Sequence, residues 1–156
     1  MTFTDDKPLS LVHILSNRIG RAFHNKIEAR FGLSLVEWRV LTAIASEPGI
    51  TASEITSRWA LEKMSVNRAI RHLHKQGRLT RTRDSTDGRS YRLRLTAKGA
   101  ALHADVAPVA AARCNELTSV LSEAETTALM RALRKLLERA EALHATATSA
   151  NRESGA

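Results

Sequence analysis

Cysteine and aromatic residues are scarce in this chain. Among its 156 residues stand one cysteine, two tryptophans, one tyrosine and three phenylalanines. A single cysteine excludes a disulfide framework within the chain and any cysteine-cluster zinc site. Six rings, of which only Trp59 and Tyr91 fall in the basic segment described below, are too few for a platform that stacks single-stranded bases. Long hydrophobic runs are missing as well. The longest apolar stretches, such as residues 106–112, fall far short of the about 20 residues that a bilayer span needs. The N-terminal stretch MTFTDDKPLS has two acids, no basic flank and no apolar segment, so it does not read as a signal peptide. A soluble, cytoplasmic protein without membrane contact is expected. Enzymatic motifs are lacking: no phosphate-binding P-loop, no Gly-x-Ser-x-Gly, no paired carboxylates on one face. No catalytic residue and no cofactor is therefore assigned. The six histidines do not assemble a metal site either. His72 and His74 are two apart on a helix and diverge, while His13 and His24 lie about 16 Å apart along a helix axis.

What the chain has in excess is positive charge. Lysine and arginine number 24 against 16 acids, a net charge of +8, with a pI near 10.5. The excess is confined. Residues 1–57 carry six basic and six acidic side chains, and residues 99–156 carry six and seven. Residues 58–98 carry twelve basic side chains against only Glu62, Asp84 and Asp87, a net of +9. A solvated basic surface is the plain alternative for such a cluster. A phosphate-facing module fits its confinement better, because lysines and arginines that neutralise phosphates release condensed counterions. With so few rings, duplex DNA is the expected polyanion.

Helical periodicity dominates the pattern. Val12, Leu15, Ile19, Phe23 and Ile27 recur at steps of three or four and predict a first helix over residues 9–30, stopped at Gly32. Ser34 with Glu37, and Thr51 with Glu54, have capping-box spacing and open the second and third helices. Val36, Val40, Leu41 and Ile44 face inward on the second, which ends at Pro48-Gly49. A fourth helix over residues 63–75 closes at Gly77. The period then changes to two. Residues 79–82 and 90–95 alternate around the turn Asp84-Ser-Thr-Asp-Gly88, which predicts one basic hairpin. Helices return from Thr96, with Leu102, Val106, Val109, Leu117 and Val120 on one stripe and Pro108 expected to kink or interrupt it. Ser122 opens a last helix whose stripe is Leu129, Leu133, Leu136, Leu137, Ala140 and Leu143. From Ala145 the small, polar tail is expected to fray.

A short third helix, a turn, a fourth helix and a two-stranded hairpin follow the order of a winged helix-turn-helix. On the fourth helix Val66, Ala69, Ile70 and Leu73 cluster on one face, with Met64, Arg68, Arg71 and Lys75 opposite. A buried apolar face with a basic face outward suits a helix that enters the major groove. At this point the sequence resembles the MarR (multiple antibiotic resistance regulator) family of bacterial transcription factors. Ile50-Thr-Ala-Ser-Glu-Ile-Thr-Ser-Arg-Trp-Ala-Leu61 is similar to that family's helix-three segment. Ser65-Val-Asn-Arg68 stands in the place of its Thr-Val-Ser-Arg signature, and Leu73…Gly77 in that of Leu-Glu-x-x-Gly. Arg81-Thr-Arg-Asp84-Ser-Thr-Asp87-Gly-Arg89, with Leu95-Thr96 and Gly99, resembles the wing pattern. Leu121-Ser122-Glu-Ala-Glu125 resembles the start of the family's last helix. Two positions depart from the pattern: Glu62 replaces a usual serine before the recognition helix, and Gly88 replaces an arginine.

The resemblance implies a mainly α fold with a small β wing, a single domain over residues 1–156. A winged lobe over about 34–96 is flanked by dimerisation helices over about 9–31 and 97–145. It also implies a homodimeric regulator, most often a repressor, bound to a pseudo-palindromic operator in double-stranded DNA. Two lobes would meet successive major grooves about 10 base pairs apart. Arg68 and Arg71 are the base-reading candidates, since a guanidinium pairs with guanine O6 and N7, with phosphate contact as their alternative. Ser65 and Asn67 match polar contact positions, helix capping being the alternative for Ser65. Met64 either touches a thymine methyl or packs. Lys75 and Arg83 complete the phosphate set, Arg83 and Arg81 having intramolecular pairing as their alternative. Asp87 is expected to orient Arg89, which enters the minor groove. Trp59 is expected in the core, and Cys114 as a buried thiol. The family further implies a small aromatic or phenolic effector, for which Asn17, His24, Trp38, Arg39 and His103 are the lining candidates. The rival readings are an effector-independent winged-helix architectural or RNA-binding protein, and a small enzyme, for which no titratable cluster is visible.

Overall fold

A computed structural model describes residues 7–85 and 87–153, with the side chains of 24, 25 and 147–153 left aside. Contacts divide the chain after Ala111 into two compact units. The first holds the winged lobe and the first helix. Helix α1 runs over Pro8–Phe23, passes into a π turn at His24–Glu28 and ends as α2, Ala29–Phe31, at Gly32. The expected first helix is thus present but not uniform. A π turn is one residue wider than an α turn, and apolar steps of three and four cannot tell the two apart over five residues.

Helix α3 (Leu35–Ser46) and helix α4 (Ala52–Trp59) both begin in complete capping boxes. The Ser34 backbone N–H donates to Glu37 Oε2 at 2.8 Å, and the Glu37 N–H returns to Ser34 Oγ at 3.3 Å. At α4 the Thr51 N–H donates to Glu54 Oε2 at 2.7 Å. Each box satisfies N–H groups that a helix end otherwise leaves open. Helix α5 (Lys63–Lys75) follows a tight turn in which Ala60 has φ 47°, and Gly77 at φ 69° closes it. Strands β1 (Leu79–Arg83) and β2 (Tyr91–Leu95) pair antiparallel, Leu79 opposite Leu95 and Arg83 opposite Tyr91. Main-chain bonds at Gly49–Leu93 (2.8 Å) and Leu93–Ile50 (3.1 Å) bind this hairpin to the segment between α3 and α4.

The lobe's core gathers residues from every one of these elements. Leu33, Leu41, Ile44, Ile50, Ile55, Leu73, Leu79 and Leu93 are fully buried, and Phe23 and Ile27 from the α1 region join them. Burying a side chain of this size contributes about 1.5–3 kcal/mol relative to leaving it exposed. Helix α6 (Ala97–Thr118) is fastened to the end of α5. The Thr96 hydroxyl donates to Gly77 O at 2.7 Å and accepts the Gly99 N–H at 3.1 Å, while Lys98 Nζ donates to Gln76 O at 3.0 Å.

Four expectations are corrected here. Pro108 neither ends nor interrupts α6, because alanine-rich segments on both sides favour the helix strongly enough to carry the one missing hydrogen bond. Helix α7 spans Glu123–Glu153, so the stretch after Ala145 is helical in its backbone. No glycine or proline interrupts the sequence before Gly155, and alanine holds a helix as well as leucine does. Trp59 is 40% exposed, because it sits in the last turn of a short helix where only one side meets the lobe. Cys114 is exposed on α6, within a run, residues 111–120, in which every residue is exposed. None of the described helices is long and apolar enough to cross a membrane.

Candidate nucleic-acid interface

Helix α5 separates its side chains by face. Val66, Ala69, Ile70 and Leu73 are buried in the lobe. Lys63, Met64, Arg68, Arg71 and Lys75 are exposed, and Ser65 and Asn67 lie half-buried at the boundary. Met64 at 59% exposure does not pack, and its thioether is free for an outside contact. Ser65 does not cap the helix; Glu62 does, accepting the backbone N–H groups of Met64 and Ser65. A glutamate is not among the usual capping residues, and only its place before the recognition helix, where a serine is usual, pointed to this role.

Between α4, α5 and the wing lies a cleft of about 380 Å3, which brings together Asn67 and Arg89 along with Ser53, Lys63, Arg81 and Tyr91. A second, shallower hollow of about 500 Å3 holds Ser65 and Arg68 beside Glu37 and His72. Arg71 and Lys75 line neither hollow and stand free along the same helix.

The wing tip is held by Asp87, which reaches Arg89 through the backbone. Its Oδ1 accepts the backbone N–H of Arg89 at 3.1 Å and its Oδ2 the Ser90 hydroxyl at 2.6 Å. These two bonds, Ser90 first, hold its carboxyl below the usual aspartate range, against the repulsion of Asp84. Asp87 therefore fixes the backbone that carries Arg89, and the Arg89 guanidinium stays exposed. Arg83 folds back along the hairpin and stays exposed, its Nε–H donating to Gly88 O at 2.8 Å. Arg81 lies over the Tyr91 ring at 4.3 Å.

Two partnerships escaped sequence reasoning. Arg92 Nε meets the buried Asp84 Oδ2 at 2.6 Å, and its Nη1 donates to Gly49 O at 3.2 Å, so this arginine belongs to the wing's foundation. The buried Glu37 meets His72 Nδ1 and so ties α5 to the first turn of α3. Glu37 and His72 are 35 residues apart, and such a pair leaves no periodic trace in a sequence; its only available signal was an acid at an otherwise inward-facing position.

Of the effector candidates, the structure brings two together. The Trp38 and His103 rings stack, with centroids 5.1 Å apart and planes at 17°. Burial lowers the His103 pKa, favouring the neutral ring. Next to it a cavity of about 320 Å3 is lined by Ile44, Ala45, Pro48, Arg94, Leu95, Ala100 and His103. Arg39 points elsewhere, its guanidinium 5.5 Å over the Trp59 ring, and burial lowers its pKa as well. Asn17 is exposed on α1. The His24 side chain lies outside the described residues. Among the described residues, no group of histidine, cysteine and acidic side chains is arranged to hold a metal ion.

The sequence profile of the MarR family matches residues 31–90, from the end of α2 to the turn of the wing before β2. An HTH-type transcriptional repressor of Mycobacterium tuberculosis is 30% identical over 105 residues, 65% of this chain and 73% of that protein. The chain belongs to the MarR family. It is a transcriptional regulator of that family, mainly α with a small β wing. Two solved structures share the fold of this MarR-family chain. A MarR variant of E. coli complexed with operator DNA superposes with a TM-score of 0.75 at 23% identity, covering 88% of this chain and 99% of that one. The PcaV regulator of Streptomyces coelicolor, in complex with its natural ligand, gives 0.77 at 22% identity, covering 90% and 99%.

Proposed function

We propose that this MarR-family regulator is a cytoplasmic homodimeric repressor that binds a pseudo-palindromic operator through α5 and the wing. The observation that carries the reading is the two-faced α5. Its apolar face is locked into the lobe, and Arg68, Arg71 and Lys75 stand exposed on the other, with Arg89 held out on the wing. Arg68 and Arg71 read base edges, Ser65 meets an adenine edge, Asn67 and Lys75 hold the backbone, and Arg89 enters the minor groove. Asp87 and Arg83 act by shaping the wing that presents Arg89. Operator DNA bound to a structural neighbour supports this placement.

The dimer reading rests on apolar side chains that each unit leaves exposed. Leu9, Leu11, Val12, Leu15 and Ile19 on α1, and Leu129, Met130, Leu136, Leu137 and Leu143 on α7, are all more than 40% exposed. Faces of that extent mark an interface. Release by a small aromatic or phenolic effector is supported by the stacked Trp38–His103 pair and the cavity beside His103. A neighbour complexed with its natural ligand supports it as well.

A titration with duplex DNA tests the reading. Two lobes that each neutralise several phosphates give a log–log salt slope of roughly −6 to −10, at about −0.9 per contact. Arg71→Ala loses about 1–3 kcal/mol per half-site on a preferred duplex and relaxes preference at one position. A near-flat slope overturns the phosphate-facing role of the basic segment. Equal losses for Arg71→Ala on preferred and random duplexes assign Arg71 to the backbone instead.

A further inference from the structure

The N-terminal end of α5 is closed by a negative charge. Glu62, in extended conformation at φ −67° and ψ 129°, places Oε1 2.6 Å from the Met64 nitrogen and Oε2 2.6 Å from the Ser65 nitrogen. Both N–H groups donate to it. These are the donors that the start of a helix offers to a phosphate, reinforced there by the helix dipole. Here they are already taken by a carboxylate that stays exposed at the cap of the helix that carries the base-reading candidates.

The bonds from Met64 come first in holding the Glu62 carboxyl below the usual glutamate range, followed by those from Ser65, and Arg68 adds a smaller electrostatic pull. Near neutral pH the group is therefore charged. A phosphate brought to this end of the helix meets a like charge and finds the Met64 and Ser65 N–H groups already taken.

A groove floor is different. The amino groups of cytosine N4 and adenine N6 are donors, and each Glu62 oxygen keeps a lone pair to accept one. The penalty thus falls hardest on arrangements in which the helix end rides on the sugar–phosphate backbone. Such arrangements dominate binding to arbitrary sequence. A helix seated by base contacts, with its first turn over the base edges, bears less of it.

We propose that Glu62 is a specificity-determining residue of this regulator: it repels phosphate from the start of α5 and thereby suppresses binding to arbitrary DNA more than binding to the operator. The inference rests on the reading of α5 as the recognition helix.

Two variants separate charge from capping. Glu62→Ser keeps a side-chain acceptor at the helix start and removes the charge, whereas Glu62→Asp keeps both. The probes are a duplex enriched by the wild-type protein from a randomised pool, and a random-sequence duplex of equal length. Glu62→Ser is expected to tighten binding to the random duplex about 10-fold, of the order of one charge–phosphate repulsion at a protein surface. It tightens binding to the enriched duplex less, and the salt slope on the random duplex steepens by about 1. Glu62→Asp keeps the wild-type ratio of the two affinities. An unchanged ratio in Glu62→Ser, or equal weakening on both duplexes by both variants, reduces Glu62 to a helix cap and overturns the proposal. Failure of the wild type to enrich any sequence defeats the reading of α5 itself, and this inference with it.

Discussion

Gly99, in the first turn of α6, is buried against the chain that leaves α5. A Cβ placed there would lie 1.9 Å from the carbonyl oxygen of Arg78 and 2.9 Å from its carbonyl carbon. The obstruction is backbone that already accepts the Thr96 N–H at 3.2 Å, so it has little room to retreat. Gly99→Ala is expected to cost about 3 kcal/mol, the upper range for overpacking, read as a lower midpoint in denaturant unfolding. An unchanged midpoint would show that α6 can shift its start at no cost. The sequence alone offered Gly99 only as the end of a motif; its reason is a close approach between segments 21 residues apart, which no local pattern records. Arginines divide in the same way. Positive charge marked the whole segment, and helical period placed Arg68 and Arg71 outward. Which wing arginines are engaged within the hairpin depended on Gly88 O, Tyr91 and Asp84, partners found only by folding it.

The elements themselves were more legible than the contacts between them. Capping boxes at Ser34 and Thr51, the closing Gly77 and the change of period at the wing all act within four residues, and each stands where the pattern put it. The π turn after α1 and the unbroken passage through Pro108 were not legible, because each is decided by what flanks the local rule. The α4 box also carries a pH dependence. The Thr51 backbone N–H, then its hydroxyl, holds the Glu54 carboxyl below the usual range, with smaller help from Arg92 and Arg58. A carboxyl whose folded pKa is depressed stabilises the fold fully above its unfolded value, about 4.3 for glutamate. The contribution disappears as pH falls through the lower folded value. Glu54→Gln should therefore flatten the loss of stability below about pH 4.3, and an acid limb identical to wild type would exclude the box as its source. Thr51→Ala should cost about 1 kcal/mol at neutral pH, seen as a drop in Tm.

At the scale of the whole molecule, the proposed dimer gives the most direct test. Leu133 sits half-buried on α7 within a stripe whose other leucines are exposed. An interface built from such faces and α1 should exceed about 2,000 Å2 and be largely apolar. Leu133→Asp puts an unpaired charge into it. Sedimentation of this variant is expected to show loss of the dimer, together with loss of folded protein, because obligate dimers often lack a stable monomer. Wild type sedimenting as a folded monomer at micromolar concentration would overturn the dimer and leave the α5 predictions standing.

The fastening of Thr96 and Gly99 to Gly77 and Arg78 has a consequence for building hybrid regulators. A natural place to splice one protein's winged lobe onto another's helices would be the end of the hairpin, where strand gives way to helix. That cut would part Thr96 from the hydroxyl's acceptor at Gly77 O and set a foreign helix start against Arg78. Joining instead after Ala111, inside α6 and where the two compact units divide, keeps that joint and the buried Val106 within one parent. A hybrid sewn there should inherit the DNA preference of the parent that supplied residues up to 111, while its pairing draws on α1 from that parent and on α7 from the other.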